Sequence, residues 1–193
     1  MAKTRCPWLN LKNPTYVEYH DREWGRPVHD DHIHFEFLIL EGAQAGLSWE
    51  TVLNKREHYR KAFANFDPEK VARFSDKKIE SLLQNPGIIR NRLKVKSAVT
   101  NAQAFLKVQK EFGSFDKYFW GFLEKGTIYN FFKTNKDYPA RTELSDRIST
   151  DLKKRGFKFV GSTIVYAHLQ AAGLVQDHSA DCYLGGKKLR RLK

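Results

Sequence analysis

Residues 82–96, LLQNPGIIRNRLKVK, are predicted to form two helices joined by a short turn, and this segment decides the fold class. Pro86 disfavours helical geometry in the residue before it, so the first helix must end at Asn85. Gly87 permits a tight turn. From about Arg90 a long helical pattern resumes, because apolar residues recur at three- and four-residue spacings. The segment is therefore typical of a helical protein.

Helical spacing continues on both sides of this segment. Apolar residues recur with the period of one helix face. The predicted runs are 33–43, 49–63, 75–85, 115–123, 146–155 and 163–172. The candidate N-caps are Ser48, Asp67 and Ser75, and the candidate C-terminal glycine of the last run is Gly173. Since no alternating strand pattern is convincing, the sequence predicts an all-α fold.

The composition is that of an ordinary globular protein. Of the 193 residues, 41% are hydrophobic and 29% are charged. Residues 1–186 contain no repeat, linker or low-complexity block, so they are predicted to form a single domain. Residues 187–193, KKLRRLK, form a basic C-terminal tail, either a mobile basic arm or a solvated tail without a target. We expect a monomer.

The charge balance predicts the class of partner. Lys and Arg number 34 and Asp and Glu number 22, which gives a formal net charge of +12. Such a balance favours polyanions, with nucleic acid first. No apolar run approaches the roughly 18 residues of a membrane span, and the N-terminus lacks the apolar core of a signal peptide. We therefore expect a cytoplasmic protein without a membrane partner.

The turn in the opening segment is a candidate contact for DNA phosphate. A turn at a helix N-terminus presents backbone N–H groups where a phosphate is favoured. Gly87 and Ile88 would supply these groups, and Arg90 and Lys94 follow with basic side chains. The segment looks like a helix-hairpin-helix element, although Ile89 stands where that motif usually has its second glycine. An ordinary pair of helices with a solvated basic face would show the same pattern.

Cysteine and histidine residues near both ends of the chain form a candidate metal site. His178 and Cys182 are four residues apart, so one turn can bring both to one ion. Cys6 and His20 would complete a closed, structural Cys2His2 zinc site, although unrelated residues could produce the same pattern. Such a site uses both cysteines and closes a very long loop. A second histidine group, interpreted as the polar start of a helix, comprises His29, His32 and His34.

Aromatic residues surround one acidic residue in the first quarter of the chain. Glu41 lies in the apolar stretch FLILEGAQAGL, where a buried carboxylate needs a partner. Aromatic rings among basic residues suit the stacking of an extruded base. The alternative is a plain aromatic core with Glu41 bonded to a backbone amide. The aromatic residues are Trp8, Tyr16, Tyr19, Trp24 and Trp49.

Several long segments resemble the bacterial 3-methyladenine DNA glycosylase I family, of the constitutive type. They occur in order along most of the chain: RCPW, PTYVEYHDREWGRPV, LEGAQAGLSWETVLNKRE, NPGIIRNRLK, KRGFKFVGSTIVY and QAAGLVQDHSADC. The resemblance implies a helix-hairpin-helix glycosylase fold, a structural zinc, and excision of N3-methylated adenine from alkylated double-stranded DNA by base flipping. It is weakest over residues 107–145, to which no function is assigned.

The resemblance also implies roles for particular residues. It implies zinc ligands at Cys6, His20, His178 and Cys182. It implies base-pocket positions at Tyr16, Tyr19, Trp24 and Trp49, and less directly at Trp8. It implies that Glu41 contacts the flipped base, and that Gln44 and Leu47 lie in the loop used at the gap left by the extruded nucleotide.

The chemistry of the implied substrate explains why a sparse site suffices. N3-methylation makes adenine cationic and hence a good leaving group, so extrusion, stacking and alignment with water are the main tasks. Glu41 could recognise the base or polarise the water, and the sequence leaves both open. Two other interpretations are a zinc-stabilised DNA-binding module that only senses damage, and a glycosylase with lyase activity that uses a lysine nucleophile. The glycosylase interpretation, in which water is the nucleophile, predicts free 3-methyladenine as the product.

Overall fold

A helix that is apolar on nearly every side lies at the centre of the structure. The computed structural model describes residues 3–185, so the predicted tail, 187–193, lies outside the described residues. In helix α2 (Asp31–Gln44), each residue from His34 to Ala43 is buried. A helix of this composition must be surrounded by other elements. The remaining helices pack around it.

The described residues form ten α-helices with short connections. In addition to α2 they are α1 (Pro14–Arg22), α3 (Trp49–Leu53), α4 (Arg56–Ala62), α5 (Pro68–Val71), α6 (Asp76–Leu83), α7 (Arg92–Phe112), α8 (Phe115–Trp120), α9 (Glu143–Lys154) and α10 (Ser162–Ala171). Two 3-10 turns cover Ala64–Phe66 and Asn135–Asp137. The chain is thus mostly helical, as predicted.

The predicted helix starts are confirmed at three positions. Ser48 accepts a hydrogen bond from the Thr51 amide at 3.2 Å, and the side chains of Asp67 and Ser75 also accept from first-turn amides. Gly173, after α10, has a φ of +72°, and a Cβ there would lie 2.3 Å from the carbonyl carbon of Arg26. Both the backbone conformation and the close packing therefore require glycine.

Two sequence predictions are corrected by the structure. The run 49–63 is not one helix but two, because α3 ends at Leu53 and α4 begins at Arg56. The fold is not purely α-helical either. Strands β1 (Ile128–Tyr129) and β2 (Val175–Gln176) pair in parallel, with Ile128 opposite Val175. Two residues are too few for an alternating pattern to be visible in the sequence.

The buried apolar residues form one large and one small cluster. The large cluster joins α2, α7, α8 and α10. The small cluster includes Cys6, Tyr19, Trp24, Phe37 and Cys182, and therefore joins the two ends of the described chain. None of the helices within residues 3–185 has the combination of length and apolar character that crossing a bilayer requires.

Candidate functional site

A cavity of about 330 Å³ opens between the small cluster and α2. The six aromatic and acidic residues proposed from the sequence all line it: Trp8, Tyr16, Tyr19, Trp24, Trp49 and Glu41. Gln44, which the resemblance placed in the DNA gap loop, also lines it. A cavity of this size and aromatic lining suits a flat, ring-shaped ligand.

The aromatic rings form a connected wall. Trp8 lies with its ring centroid 4.8 Å from that of Trp24 and 5.6 Å from that of Tyr16. Tyr19 lies 5.4 Å from Trp49 across the site. α1 and the loop before it supply Trp8, Tyr16 and Tyr19, while the Ser48 cap fixes Trp49 at the first position of α3. These ring contacts hold the wall in one arrangement.

Glu41 is the acidic group of the cavity, and it is almost completely buried. Its side chain lies on the central helix α2 and only 1% of the residue is exposed. Its Oε2 is 3.0 Å from Nδ1 of His168, but the two atoms are not aligned for a hydrogen bond, and neither has another hydrogen-bond partner. Burial raises the pKa of Glu41 well above its usual range and lowers the pKa of His168 to about 3. Both shifts favour a neutral pair.

Two further polar atoms are buried without partners at the cavity. They are the indole N–H of Trp49 and the hydroxyl of Tyr138. Buried polar groups usually have hydrogen-bond partners, so unpaired ones around a cavity indicate a polar ligand. With Glu41 Oε2, they form a set of hydrogen-bonding groups inside an aromatic wall.

Sequence reasoning missed five residues that line the cavity: Asn135, Tyr138, Pro139, Ala167 and Gln170. The first three lie in the segment 107–145, to which no function was assigned. They belong to irregular chain around a single 3-10 turn, so no periodicity could have identified them. The aromatic Tyr138 in a polar loop was the one available signal.

The four residues proposed as metal ligands come together in the structure. Cys6, His20, His178 and Cys182 are all buried, and one potential ligand atom from each lies within 4.8 Å of the others. Cys6 and His20 come from the N-terminal segment and α1, and the other two from the chain after β2. The predicted convergence of the two chain ends is therefore confirmed, and the group could hold a metal ion.

The surroundings of this cluster fit a bound cation. His178 Nε2 is buried without a hydrogen-bond partner, while its Nδ1 contacts Gln176 Oε1 at 2.5 Å. The Nδ1 of His20 lies 2.8 Å from Asp21 Oδ1. Such outer partners orient imidazole ligands of metals. The Cys6 sulfur accepts an amide hydrogen bond at 3.4 Å, which suits a thiolate.

The Cys/His cluster also supports the cavity wall. The Trp8 ring lies 5.4 Å from the ring of His20, and the Trp24 ring lies 4.7 Å from that of His178. Two of the aromatic residues in the cavity therefore rest on side chains of the cluster. We therefore expect a change in the cluster to shift the Trp8 and Trp24 rings that line the cavity.

In the structure, the hairpin of residues 82–96 consists of the end of α6, a turn and the start of α7. Backbone N–H groups of the turn form hydrogen bonds within it. The Gly87 amide donates to Asn85 Oδ1 at 2.8 Å, and the Ile88 amide donates to the Asn85 carbonyl at 3.4 Å. Ile88 is only 2% exposed. In the free protein these two amides shape the turn, and the contact of Gly87 and Ile88 with a phosphate stays a prediction. Arg90 is exposed and has no ion-pair partner among the described residues.

The ammonium group of Lys94 forms hydrogen bonds inside the protein. Lys94 Nζ donates to the carbonyl oxygens of Ala43 at 2.8 Å and Ala45 at 2.5 Å. These carbonyls end α2, where a cation is favoured. Partial burial lowers the pKa of Lys94. Lys94 thus holds the start of the loop 44–48 in the free protein, and its contact with a phosphate stays a prediction.

The loop 44–48 connects the cavity to the protein surface. Gln44 lines the cavity, whereas Leu47 is 42% exposed. The Leu47 amide donates to the Gln44 carbonyl at 2.6 Å, and Gly46 between them has a φ of +78°. Leu47 is therefore an exposed apolar side chain on a tight turn beside the cavity.

Comparisons with known proteins give one consistent result. A sequence model of the family described as methyladenine glycosylase matches residues 8–185. The DNA-3-methyladenine glycosylase of Haemophilus influenzae is 46% identical over 179 residues, which are 93% of this chain and 96% of that protein.

Solved structures agree with the sequence comparison. A crystal structure of a 3-methyladenine DNA glycosylase I matches with a TM-score of 0.91 and 44% identity, over 95% of this chain and 100% of that chain. The 3-methyladenine DNA glycosylase I of Staphylococcus aureus, in a structure concerned with 3-methyladenine recognition, matches with a TM-score of 0.90 and 37% identity. This second match covers 97% of this chain and 99% of the Staphylococcus aureus chain.

Proposed function

The chain belongs to the methyladenine glycosylase family, and on that premise we propose that it removes 3-methyladenine from alkylated double-stranded DNA and leaves an abasic site. The observation that carries the proposal is the buried, unpartnered Glu41 carboxyl group inside an aromatic cavity. The decisive experiment is incubation with methylated duplex DNA and chromatographic detection of the released base. Binding without release of 3-methyladenine would mean a damage sensor instead.

The proposed catalysis depends on the positive charge of the lesion. A cationic base is a good leaving group, so the enzyme needs to extrude it, hold it and align water with the sugar. The aromatic wall contacts the cation through ring faces, at about 0.5–2 kcal/mol for each good cation–π contact. Neutral adenine lacks this attraction and costs more to unstack, so it is discriminated against.

Glu41 supplies the negative charge that pairs with the base. Burial raises the pKa of its carboxyl group and so favours the neutral form, whereas a cationic base in the cavity favours the carboxylate. The same carboxylate lies at the wall of the cavity, where it could also polarise the attacking water. Recognition of the base and orientation of the water are therefore proposed for one group.

The proposed DNA contacts divide between Arg90 and Leu47. We expect Arg90→Ala to weaken binding to any duplex and to reduce the slope of affinity against salt by about one, as for one lost phosphate contact. We expect Leu47→Ala to slow base release in single-turnover assays with a smaller effect on affinity for undamaged DNA. Filter binding at several salt concentrations and quench kinetics measure the two effects. Equal effects of both variants on damaged and undamaged DNA would contradict this division.

We also propose that the helical fold is of the helix-hairpin-helix glycosylase type and that the Cys/His cluster holds a structural zinc. The four ligand atoms would fill a tetrahedral site and leave no open position, so the metal would stabilise the fold without entering the reaction. His178 Nε2 supports this assignment, because it is buried without a hydrogen-bond partner and is therefore free to bind the metal.

Because the cavity and the hairpin are both formed by a single chain, we propose that the protein is a monomer.

The enzyme is expected to be monofunctional, with water as the nucleophile. A lyase needs a neutral lysine amine at the sugar, and none of the residues lining the cavity is a lysine. Lys94 lies four residues after Arg90, but its ammonium group donates hydrogen bonds to the carbonyl oxygens of Ala43 and Ala45. Borohydride trapping on methylated DNA should give no covalent adduct, and a gel run without alkali or heat should show intact strands. Strand breaks that appear at the pace of base release would refute this expectation.

A further inference from the structure

A chain of protonatable groups runs from Glu41 to the protein surface. His168 Nδ1 lies 3.0 Å from Glu41 Oε2, and His168 Nε2 lies 3.1 Å from His34 Nδ1. The Nε2 of His34 is 3.5 Å from Asp116 Oδ1, which is 3.0 Å from Nδ1 of His29. The side chain of His34 is fully buried, whereas that of His29 is 61% exposed.

Hydrogen bonding determines where the protons of this chain lie. His34 Nε2 is 3.2 Å from the carbonyl oxygen of Val28, which can only accept, so His34 Nε2 carries the hydrogen. Neutral His34 then accepts at Nδ1, and His168 must donate to it from Nε2. The lone pair of His168 Nδ1 consequently faces Glu41. The carboxyl oxygen lies 3.0 Å from this nitrogen but is not aligned with it, so the Glu41 carboxyl group must rotate before its proton can bridge the two atoms.

The surroundings of His168 keep that proton on Glu41. The ring centroid of His168 lies 4.7 Å from Phe119 and 6.2 Å from Phe37, and the residue is 3% exposed. An imidazolium in this apolar setting is unfavourable. A cationic base, however, needs the Glu41 carboxylate, so the proton must leave the cavity when the base enters.

We propose that His168 and His34 conduct the Glu41 proton to Asp116 at the surface when a cationic base enters the cavity. The inference rests on the role proposed for Glu41. Glu41 gives its proton to His168 Nδ1, His168 gives its Nε2 proton to His34 Nδ1, and His34 gives its Nε2 proton to Asp116. Exposed His29 or solvent then takes the proton from Asp116.

Both imidazoles end the transfer neutral, as the opposite tautomers. His168 then donates from Nδ1 to the Glu41 carboxylate, and His34 donates from Nδ1 to His168 Nε2. The Val28 carbonyl loses the His34 donor but keeps the indole N–H of Trp120 at 2.8 Å. The deprotonated His34 Nε2, however, then lies 3.2 Å from that carbonyl oxygen with no hydrogen between them, so the second arrangement is the less stable one and the chain returns to the first after the base has left.

The proton balance closes over one reaction cycle. Hydrolysis of the cationic nucleotide by water yields neutral 3-methyladenine, a sugar hydroxyl and one proton. That proton leaves to solvent. The chain then runs in reverse, from Asp116 through His34 and His168, so that Glu41 is protonated again and both histidines regain their first tautomers. One proton therefore appears in solution for each base released, and the histidine chain makes it appear at lesion binding, before the glycosidic bond breaks.

The order of the two events can be measured. Protein in excess over methylated duplex is mixed in weak buffer with a pH indicator, and released base is followed in parallel by quenching. Undamaged duplex gives the protons linked to DNA binding alone, which are subtracted. We expect one early proton per lesion in the wild type. In His34→Gln, whose amide donates and accepts but does not relay a proton, we expect that proton to coincide with base release and excision to slow by about 10²-fold.

Three further measurements keep the test independent of folding and of the proposed function. His32→Gln, on the same helix but outside the chain, should retain the early proton, whereas Asp116→Asn should lose it. In ¹⁵N-histidine spectra of the free wild type, His34 and His168 should both carry hydrogen on Nε2. An early proton in folded His34→Gln, or hydrogen on Nδ1 of His34, would overturn the relay. Failure of the wild type to release base would instead overturn the proposed function.

Discussion

Glu41→Gln should reduce single-turnover excision of 3-methyladenine by about 10²–10⁴-fold, the range typical of a lost acid–base or charge interaction in an active site. Glutamine has nearly the same shape, so the aromatic wall and its stacking with the base remain. What is lost is the negative charge that pairs with the cationic base. Rates follow from quenched reactions on methylated duplex with the protein in excess. A folded variant with the wild-type rate would show that the rings alone suffice.

Glu36→Gln is a matched control on the same helix. Glu36 is also buried, but it pairs with Arg56 and Arg60 at 2.6 and 3.0 Å and does not line the cavity. Removing its charge takes away one of the two carboxylates that pair with buried Arg56, the other being Glu23, so the melting temperature should fall while excision by the folded protein is retained. The two variants therefore separate loss of stability from loss of chemistry.

The stability of Glu41→Gln should change in the opposite direction and depend on pH. Burial raises the pKa of Glu41 in the folded chain, so its proton is bound more tightly there than in the unfolded chain. The associated stability is present below the ordinary glutamate pKa and is lost as pH rises through the raised value. The variant should thus melt at a higher temperature than the wild type near neutral pH, and the difference should vanish in acid.

Removal of the metal is expected to have the second large effect. We expect about one zinc per chain by elemental analysis and loss of that zinc in Cys182→Ser. Structural zinc sites contribute about 10–16 kcal/mol of apparent binding free energy, comparable with the 5–15 kcal/mol that stabilises a whole domain. A loss of only ~5 kcal/mol would lower the melting temperature by about 10–20 °C.

Asp181→Asn is the matched control for this experiment. Asp181 is exposed and precedes Cys182 in the same turn, but it is not one of the four clustered residues. It should retain both zinc and melting temperature. Because Trp8 and Trp24 rest on the two histidines of the cluster, the fraction of Cys182→Ser that stays folded should also bind 3-methyladenine more weakly. Wild-type protein that contains no metal as purified, and that has the same melting temperature as Cys182→Ser, would end the zinc assignment.

Local signals in the sequence were sufficient for much of the helical framework. N-caps such as Ser48 and Ser75 act within one turn, so their effect is visible in a short stretch of residues. The break between α3 and α4 was not visible, because apolar spacing continues across it. The pairing of β1 with β2 joins segments far apart in the chain, and no local pattern encodes it.

The candidate site divides in the same way. Glu41 was noticeable as a charge in an apolar run, and the four Cys and His residues were noticeable by type. Tyr138 could not be identified, because its place at the cavity depends on how an irregular loop folds over the helices. The bonds of Lys94 to the end of α2 could not be predicted either, since they arise only when α7 packs beside that helix.

Cys6 and Cys182 belong to the same cluster but lie near opposite ends of the chain, and this has a consequence for the order in which the protein folds during synthesis. The ribosome produces Trp8 and the other early aromatic residues first, yet two of them rest on a cluster whose last member is Cys182. A nascent chain can form α2 and its neighbours while it is still being translated, but the base-binding wall is completed only when the C-terminal segment emerges. Prematurely terminated chains would therefore lack an ordered pocket, so they could not act on DNA.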